Sequence, residues 1–154
     1  MNQVEHPVKK KGFCQINIIV KDIELAAKKW AELLGIEVPK IRINHLEGNE
    51  NYTYRGQPVS CDLKVCDIHM DGFVIELHQP IGGPSSFQEF LDKHGNGVHH
   101  LGFEVGDERD AVIADMEREG YDVHRTLGIY PGSSWTIVDT EDVLGVNLNI
   151  KPVR

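Results

Sequence analysis

Four side chains, Gln15, Glu76, His100 and Asn149, place an amide, a carboxylate, an imidazole and a second amide at equivalent positions of an internal repeat. Imidazole nitrogen with amide or carboxylate oxygen is a donor set for a divalent cation, and the same groups can hydrogen-bond a polar ligand. The repeat makes them a set. Slid by 85 positions, Gln15-Ile16-Asn17-Ile18-Ile19-Val20-Lys21-Asp22 lies on His100-Leu101-Gly102-Phe103-Glu104-Val105-Gly106-Asp107, and Gly35-Ile36-Glu37-Val38 lies on Gly120-Tyr121-Asp122-Val123. Each half ends in a similar segment, Gly72-Phe73-Val74-Ile75-Glu76-Leu77 and Gly145-Val146-Asn147-Leu148-Asn149-Ile150.

These residues need strands to hold them. Phe13 to Val20 is rich in Ile and Val and reads as a strand. Asp22 then caps a helix whose stripe is Ile23, Ala26, Ala27, Trp30, Leu33 and Leu34, stopped by Gly35. Further strands are expected over 36–44, 60–70 and 72–79, the last two joined by a tight turn at Asp71-Gly72. The polar stretch from His45 to Pro58 is either a lid or a solvated hairpin tip. Pro80-Ile81-Gly82-Gly83-Pro84 should break the sheet, and a short linker helix follows Ser85 and ends at His94-Gly95. The second half restarts with a strand from Val98 to Val105, a cap at Asp107 and a helix to Gly120. Strands near 121–127, 134–139 and 145–151 complete it, with Asp139-Thr140-Glu141-Asp142 as a solvated acidic turn.

The expected organisation is a flexible leader (1–12), a first module (13–80), a linker (81–97) and a second module (98–151). The fold class is α+β: two tandem βαβββ modules whose half-sheets close around a central cavity. Alternate strand residues share a face, so Ile16, Ile18, Leu101 and Phe103 should pack under the helices. Gln15, Asn17, His100, Gly102 and Glu104 then face the cavity, as do Glu76 with His78 and Asn149 with Asn147 and Lys151. His99 points the other way.

Composition sets bounds. The chain of 154 residues is 40% hydrophobic and 26% charged, the profile of a globular protein of one domain. A net charge of −8 argues against nucleic acid as a partner. No apolar run approaches the roughly 20 residues that span a bilayer, and no signal-peptide core follows Met1, so a cytoplasmic location is expected. Cys14, Cys61 and Cys66 lack zinc-site spacing and read as small buried hydrophobes.

The duplicated segments, with Gly97-Val98-His99-His100-Leu101-Gly102-Phe103 and the linker after Glu76, resemble the vicinal oxygen chelate superfamily. That superfamily includes glyoxalase I, methylmalonyl-CoA epimerase, extradiol dioxygenases and bleomycin-resistance proteins. The resemblance covers about residues 13–151 and is strongest to epimerase-like members. It implies a divalent ion (Ni, Co, Mn, Zn or Fe) held by Gln15, Glu76 and His100, with Glu76 also the catalytic residue. It further implies a lyase, isomerase or epimerase that moves a proton through a metal-stabilised enolate. The implied substrate is a small 2-oxo, hemithioacetal or acyl-thioester compound, and the implied assembly is a homodimer.

Asn149 departs from the family pattern, which places a glutamate there as ligand and often as base. An amide cannot take a proton at neutral pH, so Asn149 is expected to bind substrate, and the base must be Glu76, His78, His99 or Glu104. Gln15 in a histidine position disfavours an iron dioxygenase. Tyr54 and Trp135 are candidates to close the cavity over the substrate, or else plain packing residues. A metal-free binding or resistance protein of the same fold is the alternative.

Overall fold

The computed structural model describes residues 3–153. Its β-branched runs form β1 (Phe13–Ile19), β2 (Arg42–Leu46), β3 (Tyr52–Tyr54), β4 (Cys61–His69) and β5 (Val74–Gly82). The second half supplies β6 (Gly97–Glu104), β7 (Asp122–Tyr130), β8 (Ser133–Asp139) and β9 (Asn147–Lys151). One mixed sheet holds all nine, in the order β2-β4-β5-β1-β6-β9-β8-β7-β3, and curls until it nearly closes. The helices are α1 (Ile23–Leu34), α2 (Ser86–His94), α3 (Arg109–Arg118) and α4 (Glu141–Leu144). None is long and apolar enough to cross a membrane.

Local chemistry explains the helix ends. Asp22 accepts from the Leu25 amide at 3.1 Å, and Gly35 closes α1 at φ 65°, a left-handed angle that glycine reaches without strain. Ser85 caps α2 in the same way through the Gln88 amide. α1 seals one outer face, where Ile23 and Ala27 pack on Cys66, Ile68 and Leu77. α3 seals the equivalent outer face with Val112 against Val123, Val138 and Ile150. α2 behaves differently: Phe87 and Phe90 pack on Ile19, Leu63 and Val65 and plug one end of the curl.

The centre of the sheet brings the four repeat-equivalent strands together. β1 and β6 pair antiparallel, and each is flanked in parallel by the strand that ends its half, β5 or β9. The register sets Glu76, Asn17, His100 and Asn147 in one cross-strand row, and Gln15, Gly102 and Asn149 in the next.

Several expectations need correction. β2 starts only at Arg42, and residues 36–41 are irregular. β5 runs through Pro80 to Gly82: its pairing with β1 ends at His78, so the missing proline N–H falls where no partner waits. Asp107 makes no cap; a 3₁₀ turn over Gly106–Glu108 leads into α3. Ile18 packs under α1, whereas Ile16, Leu101 and Phe103 are half-buried outside the helix clusters. Phe103 instead meets the ring of Phe13 at 5.8 Å between centroids.

The polar stretch after His45 is no free hairpin tip. Tyr52–Tyr54 crosses from the first half to pair antiparallel with β7. Arg55 fastens it through Glu89 at 2.6 Å and Asp139 at 3.1 Å. Residues 139–142 are not a solvated turn either, since Asp139 and Glu141 face the buried Arg125 at 3.0 and 3.2 Å. Within the described part of the leader, 3–12, His6 contacts Asp115 at 3.1 Å and Val8 joins the α3 cluster.

Candidate functional site

The curled sheet encloses a cavity of about 600 Å³ whose wall includes Gln15, Glu76, His78, His100, Trp135 and Asn149. Period-two alternation puts Glu76 and His78 side by side on β5, with His78 Nε2 3.1 Å from Glu76 Oε1. Asn17, directly opposite on β1, donates its amide to the same oxygen at 2.9 Å. Both contacts go to Oε1, so Oε2 is the oxygen left to the cavity. Burial opposes ionisation of Glu76, but His78 and the Asn17 amide outweigh it and hold the carboxyl well below the usual carboxylate range. Glu76 therefore carries its charge at neutral pH.

His100 is 2% exposed, and its Nε2 lies 3.0 Å from Gln15 Oε1. Burial is the main reason its imidazole is pushed down to about 3, with His78 and Lys151 adding to the effect and Glu76 opposing it. The ring is therefore neutral. A carbonyl oxygen accepts, so His100 carries its proton on Nε2 here and takes a hydrogen bond at Nδ1 from His99 Nδ1 at 2.8 Å. His99 could accept instead if the His100 proton moved to Nδ1, which would free Nε2 as a ligand.

Asn149 is committed at both ends of its amide. Its Oδ1 accepts from the Thr136 backbone N–H at 3.1 Å, and its Nδ2 donates to Gln15 Oε1 at 3.3 Å. Gln15, His100 and Asn149 thus form one closed polar cluster, with Glu76 two residues along β5 from the Val74 that pairs with Gln15.

Gly102 makes this clustering fit. A Cβ added there would lie 2.7 Å from Gln15 Cβ and 2.8 Å from Gln15 Oε1. Gly102→Ala is accordingly expected to push Gln15 off His100 and to cost about 1–3 kcal/mol of stability. Urea unfolding should show the loss, and ligand or ion binding should weaken with it; an unchanged variant would mean that Gln15 is not held by this packing.

Trp135 lines the cavity with its ring lying across Gly128 of the neighbouring strand, where a Cβ would come within 2.1 Å of it. Tyr54 is not brought to the cavity: its hydroxyl donates to Glu89 Oε2 at 2.6 Å as part of the loop anchor. Among the four candidate bases, only Glu76 and His78 line the space. His99 is not turned to the outer face as expected: at the register shift opposite Asn17 and Ile18 its ring stays beside His100 and is fully buried against Phe87 and Phe90 beneath α2.

Tyr52 was not singled out from the sequence, yet it is 3% exposed, lines the cavity and contacts Cys61 Sγ at 3.3 Å. Its only signal was an aromatic inside a polar stretch. Among the described residues, one His/Cys/Asp/Glu group is tight enough to suggest an ion by those side chains alone, Glu5, His6 and Asp115, and it lies away from the cavity.

Comparison with known proteins agrees with this architecture. The family model described as Glyoxalase/Bleomycin resistance protein/Dioxygenase superfamily matches residues 14–138. Methylmalonyl-CoA epimerase from Mycobacterium tuberculosis is similar over 93% of this chain and 88% of its own, at 23% identity and a TM-score of 0.61. A variant of Streptomyces coelicolor methylmalonyl-CoA epimerase, in complex with 2-nitronate-propionyl-CoA, is similar over 94% of both chains, at 24% identity and a TM-score of 0.60. The hypothetical protein BH1468 from Bacillus halodurans is similar over 90% of this chain and 91% of its own, at 18% identity and a TM-score of 0.61. No curated protein matches the sequence. At these identities the likeness to solved structures shows a shared fold.

Proposed function

Since the chain belongs to the glyoxalase/bleomycin resistance protein/dioxygenase superfamily, its model matching residues 14–138, we propose that it is an enzyme moving a proton at the carbon beside a substrate carbonyl. The substrate class is a small 2-oxo, hemithioacetal or acyl-thioester compound, and the reaction an isomerisation, epimerisation or lyase step. The observation that carries this reading is an ionised carboxylate, Glu76, on the wall of a 600 Å³ cavity beside a neutral imidazole and an amide oxygen. The likeness to methylmalonyl-CoA epimerases supports the proton-shift class.

The donor set fits a divalent ion. Gln15 Oε1 and His100 Nε2 stand 3.0 Å apart, the spacing of neighbouring ligands in an octahedral shell at about 2.1 Å. His99 gives His100 a partner in either tautomer, and Glu76 supplies the anionic oxygen. Gln15, Glu76 and His100 would hold Ni, Co, Mn, Zn or Fe, which when bound supplies Lewis-acid stabilisation of negative charge on a substrate oxygen. The chain's own residues do the rest. Glu76 would give up its place at the ion to take the proton at Oε2, while Asn17 and His78 fix Oε1. Trp135 and Phe87 line the space and exclude water, and Asn149 orients the substrate beside Gln15.

Metal analysis of the protein and of His100→Ala, after dialysis against Ni²⁺, Co²⁺, Mn²⁺ and Zn²⁺, tests the centre. The expected result is about one ion per chain, with affinity reduced by roughly 10–100-fold or more in the variant. The amide N–H₂ of Asn149, aimed at Gln15 Oε1, is the observation that favours a second reading, a metal-free binding protein. No ion under any condition, with ligand binding retained in His100→Ala, would establish that reading instead.

A further inference from the structure

The charge pattern of the cavity singles out a residue that the proton-transfer reading does not use. Lys151 closes β9, two residues beyond Asn149 and on the same face, and is half-buried. It lines the central cavity and also a second hollow of about 420 Å³ that opens beside the β4–β5 turn. Gln15 and Glu76 are the other residues that line both spaces, so Lys151 stands at the partition where the candidate chemistry lies. Its charge reaches His100, where it acts against protonation of the ring.

The other basic groups of the outer opening are already opposed. Arg42 Nη2 holds Asp67 at 3.0 Å, and His45 sits between Asp62 at 2.6 Å and Glu47 at 2.8 Å. Lys151 is the ammonium or guanidinium of the lining that has no ion pair among the described residues. Glu104 is its cross-strand partner on β6, and a ligand carboxylate would add a direct counter-charge to this half-buried ammonium. A carrier bearing several phosphates needs several free cations along its path, and the opening instead offers Glu47 and paired bases on a chain of net charge −8.

We propose that Lys151 is the anchor for a substrate carboxylate, and that the substrate is a small monoanionic acid that reacts without a nucleotide carrier. This rests on the proton-transfer reading for the reaction but not for the binding. The charge on Glu76 repels a carboxylate and leaves it to Lys151, so the adjacent carbon lies between the two, with its C–H toward Glu76.

Titration calorimetry in EDTA separates the two ideas, because it needs no ion and no turnover. The probes are 2-oxobutanoate, its uncharged amide, the monomethyl ester of methylmalonate and methylmalonyl-CoA. The wild type is expected to bind 2-oxobutanoate at least about 10-fold more tightly than the amide, a difference of ~1.4 kcal/mol. Lys151→Gln should erase that preference by weakening the acid alone, while Lys151→Arg should keep it within about threefold. The monomethyl ester, which carries a single carboxylate, should bind at least as tightly as the coenzyme A thioester. Equal binding of acid and amide by the wild type, an unaffected Lys151→Gln, or a thioester preferred by about 10-fold or more would overturn the proposal. Carboxylate binding through Lys151 without proton exchange would leave the anchor standing and sink the catalytic reading.

Discussion

Glu76→Gln should reduce proton exchange at the substrate's reacting carbon by roughly 10³-fold, about 4 kcal/mol in barrier height, with the fold intact. The substitution is close to isosteric. A glutamine carbonyl oxygen at the same place still accepts from Asn17 Nδ2, at 2.9 Å in the native protein, and from His78 Nε2, at 3.1 Å. The cavity wall therefore keeps its shape, and the thermal midpoint should move by no more than a few degrees. What disappears is the only anionic donor of the Gln15, Glu76 and His100 set, and with it the group that can take a proton. Deuterium incorporation followed by ¹H NMR reads the rate directly. Exchange at an undiminished rate would remove Glu76 from the chemistry and turn attention to His78, the other candidate base on the cavity wall.

The contrast between these two bases and the two that fell away shows what the sequence could convey. Strand alternation and the 85-position repeat put Gln15, Glu76, His100 and Asn149 on one face, and β5, β1, β6 and β9 do lie adjacent. That much follows from local period-two geometry applied to matched segments. The same rule sends His99 away from the cavity, and there it fails: the register shift between Asn17 and Ile18 keeps the His99 ring beside His100, where α2 buries it completely. Long-range choices had no local signal at all. The crossing of Tyr52–Tyr54 to β7 depends on Arg55 finding Glu89 and Asp139, residues 34 and 84 positions away. Asp139 and Glu141 look solvated as a sequence of charges; they are drawn inward because Arg125, from a different strand, is buried between them. Tyr54 left the expected site for the same reason, since its hydroxyl serves Glu89.

That buried arginine governs the second large effect. Arg125→Ala should destabilise the protein by about 3–5 kcal/mol, because it empties a buried site, removes a guanidinium from the largely buried Glu141 and leaves Asn147 Oδ1 without its donor. Arg125 is 2% exposed, and its Nη1 donates to Asp139 at 3.0 Å, Glu141 at 3.2 Å and Asn147 at 2.8 Å. One guanidinium therefore ties β7 to β8, α4 and β9. The chain of contacts continues to the site: Asn147 Nδ2 donates to the His99 backbone carbonyl at 3.0 Å, directly before His100. Loss of Arg125 should therefore loosen the strand that carries the candidate imidazole ligand as well as lower the unfolding free energy. Of a typical total of roughly 5–15 kcal/mol, such a loss is a large share and corresponds to about 10 °C or more in midpoint. Urea unfolding of Arg125→Ala, Glu141→Gln and the double variant separates the causes. Neutralising Glu141 should recover about 0.5–3 kcal/mol of the loss, because a stranded charge is then removed. Strict additivity would show instead that Arg125 acts by filling space, and that the carboxylates around it find water once it is gone.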